Sequence, residues 1–131
     1  MGFKLNRGLK FKIEKVVTEK DTAMSFGSGG VKVFATPMMI GLMENAALSA
    51  VDLHLPKGYV TVGTRIDVRH LAATPVGMKV YAMAQLTGID GKRLEFKVEA
   101  YDEKEKIGEG SHERYIIDVE RFIERTAAKQ K

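Results

Sequence analysis

The chain has 131 residues and a formal net charge of +4, from 21 Lys and Arg against 17 Asp and Glu, the length of one domain. It has no cysteine, which excludes disulfide frameworks, zinc knuckles and cysteine nucleophiles together. Hydrophobic residues at 44% and charged residues at 29% fit a soluble globular protein. Residues 1–9 lack the apolar core of a signal peptide and no run is long enough to span a membrane, so the expected compartment is the cytoplasm.

The first apolar pattern is Leu9, Phe11, Ile13, alternating with Lys10, Lys12 and Glu14. This period of two predicts a half-buried strand running to Val16 or Val17. Three glycines in Gly27-Ser28-Gly29-Gly30 predict a mobile loop after residue 19. Thr36-Pro37 then reads as an N-cap followed by proline at the first helical position. From residue 38 to 53 only Glu44, Asn45, Ser49 and Asp52 are polar. At about 100° per residue, Asn45, Ser49, Asp52 and Gly41 share one narrow stripe, so the helix must be wrapped by other structure. His54 lies in its last turn, and Pro56-Lys57-Gly58 stops it.

The remainder reads as strands. Residues 59–71 place Val60, Val62, Thr64, Ile66 and Val68 on one parity and Arg65, Asp67 and Arg69 on the other. Residues 80–89 and 94–101 are joined by Asp90-Gly91, a hairpin dipeptide. Leu94, Phe96, Val98 and Ala100 alternate with charged residues, giving that strand one wet face. Residues 102–106 form a charged turn, 107–119 a last strand and 120–128 a short terminal helix. With no repeat and no linker, residues 1–131 are expected to form one α+β domain, a five-stranded antiparallel sheet with one long apolar helix on its face. The sheet's open edges and the helix's apolar surface together predict dimerisation.

Phosphate-loop, dinucleotide, nucleophile-elbow and zinc-protease motifs are absent. His54, His70 and His112 lack metal-ligand spacing, and no aromatic-basic stripe of the RNA-binding kind occurs. The positive charge permits nucleic acid but equally suits a small polyphosphate ligand. Single residues remain. Glu44 lies off the polar stripe among Ile40, Gly41, Ala47 and Leu48, where a partly desolvated carboxylate serves as base or nucleophile, or pairs with an arginine. His70 continues the parity of Val60 to Val68, either to orient or protonate a partner of Glu44 or as a core histidine at a strand end. Thr36 is a helix cap or a donor to a substrate oxygen beside the helix N-terminus. Eight helical residues, about 12 Å of rise, separate Thr36 from Glu44. A site shared by the two must therefore span that distance or be completed by a second protomer. Arg114 can bind a phosphate or carboxylate, or be one of the surface arginines that do neither. Met38, Met39 and Met43 read as core filler.

The stretch Phe34-Ala35-Thr36-Pro37-Met38-Met39-Ile40-Gly41-Leu42-Met43-Glu44-Asn45-Ala46 resembles the central-helix signature of the fluoroacetyl-CoA thioesterase-like family of hot-dog proteins. Leu55-Pro56, Val62-Gly63-Thr64 and Val68-Arg69-His70-Leu71-Ala72-Ala73-Thr74-Pro75 resemble its next strand and turn. Gly91-Lys92-Arg93-Leu94-Glu95-Phe96 and Glu109-Gly110-Ser111-His112-Glu113-Arg114 resemble its last hairpin. The resemblance runs from about residue 9 to 122 in the same order. It implies a dimeric hot-dog fold, with the sheet wrapped around the central helix, and hydrolysis of acyl-CoA thioesters. It places the family's catalytic threonine, glutamate and histidine on Thr36, Glu44 and His70. The glycine at the substrate carbonyl falls on Gly63, the coenzyme-contacting arginine on Arg114, and further substrate contacts on Phe34 and Ile40. One departure stands out: the phenylalanine lid of the fluoroacetyl-specific member falls on Gly27 and Gly30, with only Phe26 nearby, so a different acyl group is expected.

The expected function is hydrolysis of a small acyl-CoA thioester with Glu44 as nucleophile or base, in a homodimer or a tetramer, with no cofactor, no metal, no nucleic acid and no membrane partner. The alternative is a non-catalytic acyl-CoA-binding protein, a sensor or carrier.

Overall fold

The computed structural model describes residues 3–131. Strand β1, Lys10–Val16, is followed by a 3-10 turn, Glu19–Asp21, and a single helical turn α1, Ala23–Phe26. Neither turn was expected. They form because Asp21, buried to 3% exposure, accepts hydrogen bonds from Lys15 Nζ at 2.6 Å and from Thr18 N and Oγ1, both at 2.8 Å. Burial alone would raise the Asp21 pKa, but these donors win and hold it below its ordinary value. Thr22 caps α1 by accepting from Ser25 N at 3.2 Å, and Gly27 ends it with φ +90°, a conformation glycine adopts without strain. The glycine loop that follows is anchored, because the N–H groups of Gly27 and Ser28 both donate to the Ala23 carbonyl at 2.9 Å.

The long helix α2 spans Thr36–Val51 and passes into a 3-10 turn, Asp52–His54, earlier than the expected end. Its buried residues are Met39, Leu42, Met43, Ala46, Ala47, Ala50 and Val51, and Gly41 and Asn45 are exposed. Met39 and Met43 fill the core as expected, and burying each stabilises the fold by about 1.5–3 kcal/mol.

Strands β2 (Tyr59–His70), β3 (Lys79–Asp90), β4 (Arg93–Asp102) and β5 (Lys106–Asp118) complete the sheet, and α3, Val119–Ala127, follows. The strand order is β1-β3-β4-β5-β2 and every pairing is antiparallel. The β3–β4 hairpin closes through Gly91-Lys92, with φ +62° at Gly91, where two-residue loops favour glycine. Leu94, Phe96, Val98 and Ala100 are buried, the alternation read in the sequence. The helix α2 packs chiefly on β3 and β1, and the inner face of β5 and β2 mixes core residues such as Ile107 and Ile116 with the polar Thr61, His112 and Arg114.

The alternation expected for β2 fails at one place. Thr64 is an extra residue between Gly63, which pairs with Arg114, and Arg65, which pairs with Glu113. This bulge reverses the parity. Thr61 and Gly63 before it share a face with Ile66, Val68 and His70 after it, whereas Val60 and Val62 lie on the other face with Arg65 and Asp67. Without the bulge, Gly63 and His70 would project from opposite sides of the sheet.

Candidate functional site

Two clusters of polar groups lie along α2. At its start the expected cap is displaced by one residue: Ala35 is the N-cap, with φ −72°, ψ 140° and no side-chain capping bond. The backbone turns there because Ala35 N donates to Asp21 O at 2.8 Å, and Ala35 O accepts from Met38 and Met39 N, each at 3.0 Å. The Thr36 hydroxyl is thereby released from capping. Its Oγ1 lies 2.7 Å from Nδ1 of His70, at the end of β2. His70 Nε2 is buried without a hydrogen-bond partner, and burial lowers the His70 pKa below its ordinary value. The ring is therefore neutral at pH 7, with Nδ1 on threonine and Nε2 enclosed in the protein, while the Ala72 backbone beside the ring opposes part of the effect of burial.

Two turns further along α2, Glu44 faces Gly63 and Arg114. Its side chain is 41% exposed, more open than the partly desolvated position expected from the sequence. Arg114 is no surface arginine. It is 5% exposed, and each of its three guanidinium nitrogens makes one hydrogen bond inside the protein. Nε donates to Thr61 Oγ1 at 2.8 Å and Nη2 to Thr61 O at 2.9 Å. Nη1 lies 3.1 Å from His112 Nε2 and 4.0 Å from Glu44 Oε2. Thr61 in turn donates its hydroxyl to Asp52 Oδ1 at 2.6 Å. Burial lowers the Arg114 pKa, and the charges of Asp52 and Glu44 oppose that effect.

His112 completes the frame. It is 1% exposed, and its Nδ1 lies 2.7 Å from the Arg65 carbonyl. A carbonyl can only accept and an arginine only donate, so the imidazole is neutral with its proton on Nδ1. Burial, which lowers the His112 pKa, favours the same state. Asp52, Thr61, Arg114 and His112 thus form a hydrogen-bonded chain that fixes one cation beside the Glu44 carboxylate. Gly63 is part of the geometry, because a Cβ there would stand 2.7 Å from Glu44 Oε2 and 3.2 Å from His112 Cε1.

The structure therefore brings Thr36 to His70, and Glu44 to Gly63 and Arg114. Along one helix the two clusters remain about 12 Å apart. Ile40 lies half-buried on α2 one turn before Glu44, whereas Phe34 is 1% exposed and packs into the core rather than lining an open surface. Sequence reasoning missed His112 and Thr61. His112 and Arg114 share the inward parity of β5 with buried Ile116, and two polar residues in such a set were the available signal. Thr61 was hidden by the bulge. Among the described residues, no group of three His, Cys, Asp or Glu side chains could hold a metal ion.

A five-stranded antiparallel sheet curled on one long helix, with a carboxylate at the helix waist facing a strand glycine, defines a hot-dog protein of the thioesterase kind. The model of the fluoroacetyl-CoA-specific thioesterase family matches residues 17–120, and the chain belongs to that family. The fluoroacetyl-CoA thioesterase of Streptantibioticus cattleyicolor is 45% identical over 91 residues, which span 70% of this chain and 66% of that protein, just under two thirds of its length. The solved structure of the fluoroacetyl-CoA thioesterase FlK superposes with a TM-score of 0.90 at 36% identity, covering 95% of this chain and 97% of that one. A thioesterase superfamily member from Thermus thermophilus gives a TM-score of 0.86 at 30% identity, covering 95% of each chain.

Proposed function

We propose that this protein hydrolyses a small acyl-CoA thioester to the free acid and CoA, with Glu44 as the reacting carboxylate. The observation that carries this reading is the Glu44 carboxylate held against a strand glycine beside a buried arginine fixed by three hydrogen bonds. The missing side chain at Gly63 lets the Glu44 carboxylate lie close against the strand backbone, and a thioester carbonyl brought to that carboxylate is polarised by an N–H near Gly63 and by the Thr36 hydroxyl of a second copy. As a nucleophile, Glu44 displaces the CoA thiolate to give a mixed anhydride that water opens; as a base, it takes a proton from the water that adds to the carbonyl. His70 orients that water or passes the proton on. Arg114 acts from inside the sheet, its guanidinium 4.0 Å from the Glu44 carboxylate.

Each site is assembled from two copies of the chain, the Thr36–His70 pair of one meeting Glu44 of the other. Two features support this assembly: the distance between the clusters and the outer edge position of β2 in the sheet. The glycine loop at residues 27–30 supplies no apolar lid, so the acyl group differs from fluoroacetate.

A thiol-release assay over acyl-CoAs from acetyl to medium-chain and aromatic tests the reading, with wild type and Glu44→Ala compared. Release that vanishes in the variant supports it and identifies the acyl class; equal release from both would overturn the role of Glu44. Mixing inactive Glu44→Ala and His70→Ala subunits restores turnover if sites are shared, and no recovery would place each site within one chain.

A further inference from the structure

A groove of about 540 Å³ lies between α3 and the strand β5 that leads into it. Four cations line it: Lys92 from the β3–β4 turn, and Arg121, Arg125 and Lys129 from the terminal helix and the turn after it. None of the four side chains donates a hydrogen bond or stands within 4.0 Å of a carboxylate among the described residues, although Arg93 next to Lys92 bridges Asp90, Glu95 and Glu113. Asp118 also lines the groove, but its carboxylate accepts from Arg121 N at 3.3 Å as the cap of α3.

The spacing on α3 works against the helix itself. Arg121 and Arg125 stand four residues apart on α3, where like charges meet and repel, and Lys129 continues the row in the 3-10 turn after it. Glu120 and Glu124, also four apart, do not line the groove, and Arg121–Glu124 is the one opposite-charge pair at helical spacing on α3, which leaves Arg125 without one. Such a stripe is relieved by an anion lying along it. The groove also exposes two aromatic faces, Tyr115 at 43% and Phe122 at 42%, suited to stacking a planar base.

We infer that this groove binds a phosphorylated purine nucleotide, its phosphates along Arg121, Arg125 and Lys129 with Lys92 opposite, and its base against Tyr115 and Phe122. The nucleotide is either the phosphorylated adenosine end of the CoA substrate or a free nucleotide. Only the first rests on the proposed hydrolysis.

Titration of the intact protein with adenosine 3′,5′-bisphosphate, followed by calorimetry, tests the site directly. The Arg121→Glu, Arg125→Glu double variant should fold normally, because both side chains are exposed, and should weaken binding by at least about tenfold. Binding that is absent in wild type, or equal in the two proteins, would overturn the inference. Turnover separates the sources. A raised KM for acyl-CoA, with turnover of the matching acyl-N-acetylcysteamine unchanged, identifies the substrate's own nucleotide. An unchanged KM with nucleotide binding lost identifies a free nucleotide. A protein that hydrolyses nothing still gives the calorimetric result, so the groove and the thioesterase reading fail separately.

Discussion

Replacing Gly63 by alanine is the most informative small perturbation of this site. An added Cβ would stand 2.7 Å from Glu44 Oε2, 3.2 Å from His112 Cε1 and 3.4 Å from Arg114 Nη1. Only the first is a severe overlap, about 0.7 Å short of the 3.4 Å at which ordinary contact begins. His112 and Arg114 are braced by hydrogen bonds at 2.7–3.1 Å, so the flexible, part-exposed carboxylate is the group that moves. The stability cost is small, below about 1 kcal/mol, because relief takes one side-chain rotation and alanine is the better strand residue. The catalytic cost is large. A reacting group displaced by about 1 Å loses on the order of 10²-fold in rate. Gly63→Ala should therefore lower kcat by about that factor while its melting temperature stays within a few degrees of wild type. Steady-state thiol release and a thermal melt on the same preparation read both. Unchanged kcat with the methyl accommodated would refute the placement of the reacting carboxylate against Gly63.

Thr36→Ala separates capping from function: a capping threonine contributes about 1 kcal/mol, but Ala35 occupies the cap, so the variant should lose less than about 0.5 kcal/mol in denaturant unfolding while turnover falls. A full cap's loss of stability with unchanged turnover would contradict the Thr36–His70 pairing. Acid should destabilise the fold before carboxylates titrate. His70 and His112 are both held below the ordinary histidine value by burial, so the unfolded chain binds more protons below about pH 6.5. Stability is then complete above that pH and falls as pH drops through it, at up to about 1.4 kcal/mol per unit for each group. His112→Gln should flatten the loss between pH 7 and 5 in urea titrations, and an unaltered slope would show that His112 is not the neutral group described.

Much of the fold was legible because its signals are local. The period of two in residues 94–100, the Asp90-Gly91 hairpin and the predominance of apolar residues in α2 each needed only near neighbours. The site was legible in its parts, with Thr36, Glu44 and His70 each conspicuous as polar groups in apolar company. What the sequence hid was set by distant contacts. The cap moved to Ala35 because Asp21, itself fixed by Lys15 and Thr18, takes the Ala35 N–H. The bulge at Thr64 reversed the parity of β2, which concealed Thr61 and separated Gly63 from its apparent neighbours. Arg114 looked like any strand arginine until its partners Thr61 and His112, 53 and 2 residues away, came together around it.

The central claim is that the Glu44 carboxylate carries thioester hydrolysis, and Glu44→Gln tests it most directly. Glutamine keeps the size of the side chain against Gly63 but can neither attack nor take a proton. Measured beside wild type on the best acyl-CoA, the variant should lose about 10²–10⁴-fold in kcat with an unchanged melting temperature. A folded Glu44→Gln protein that releases CoA at the wild-type rate would contradict the account.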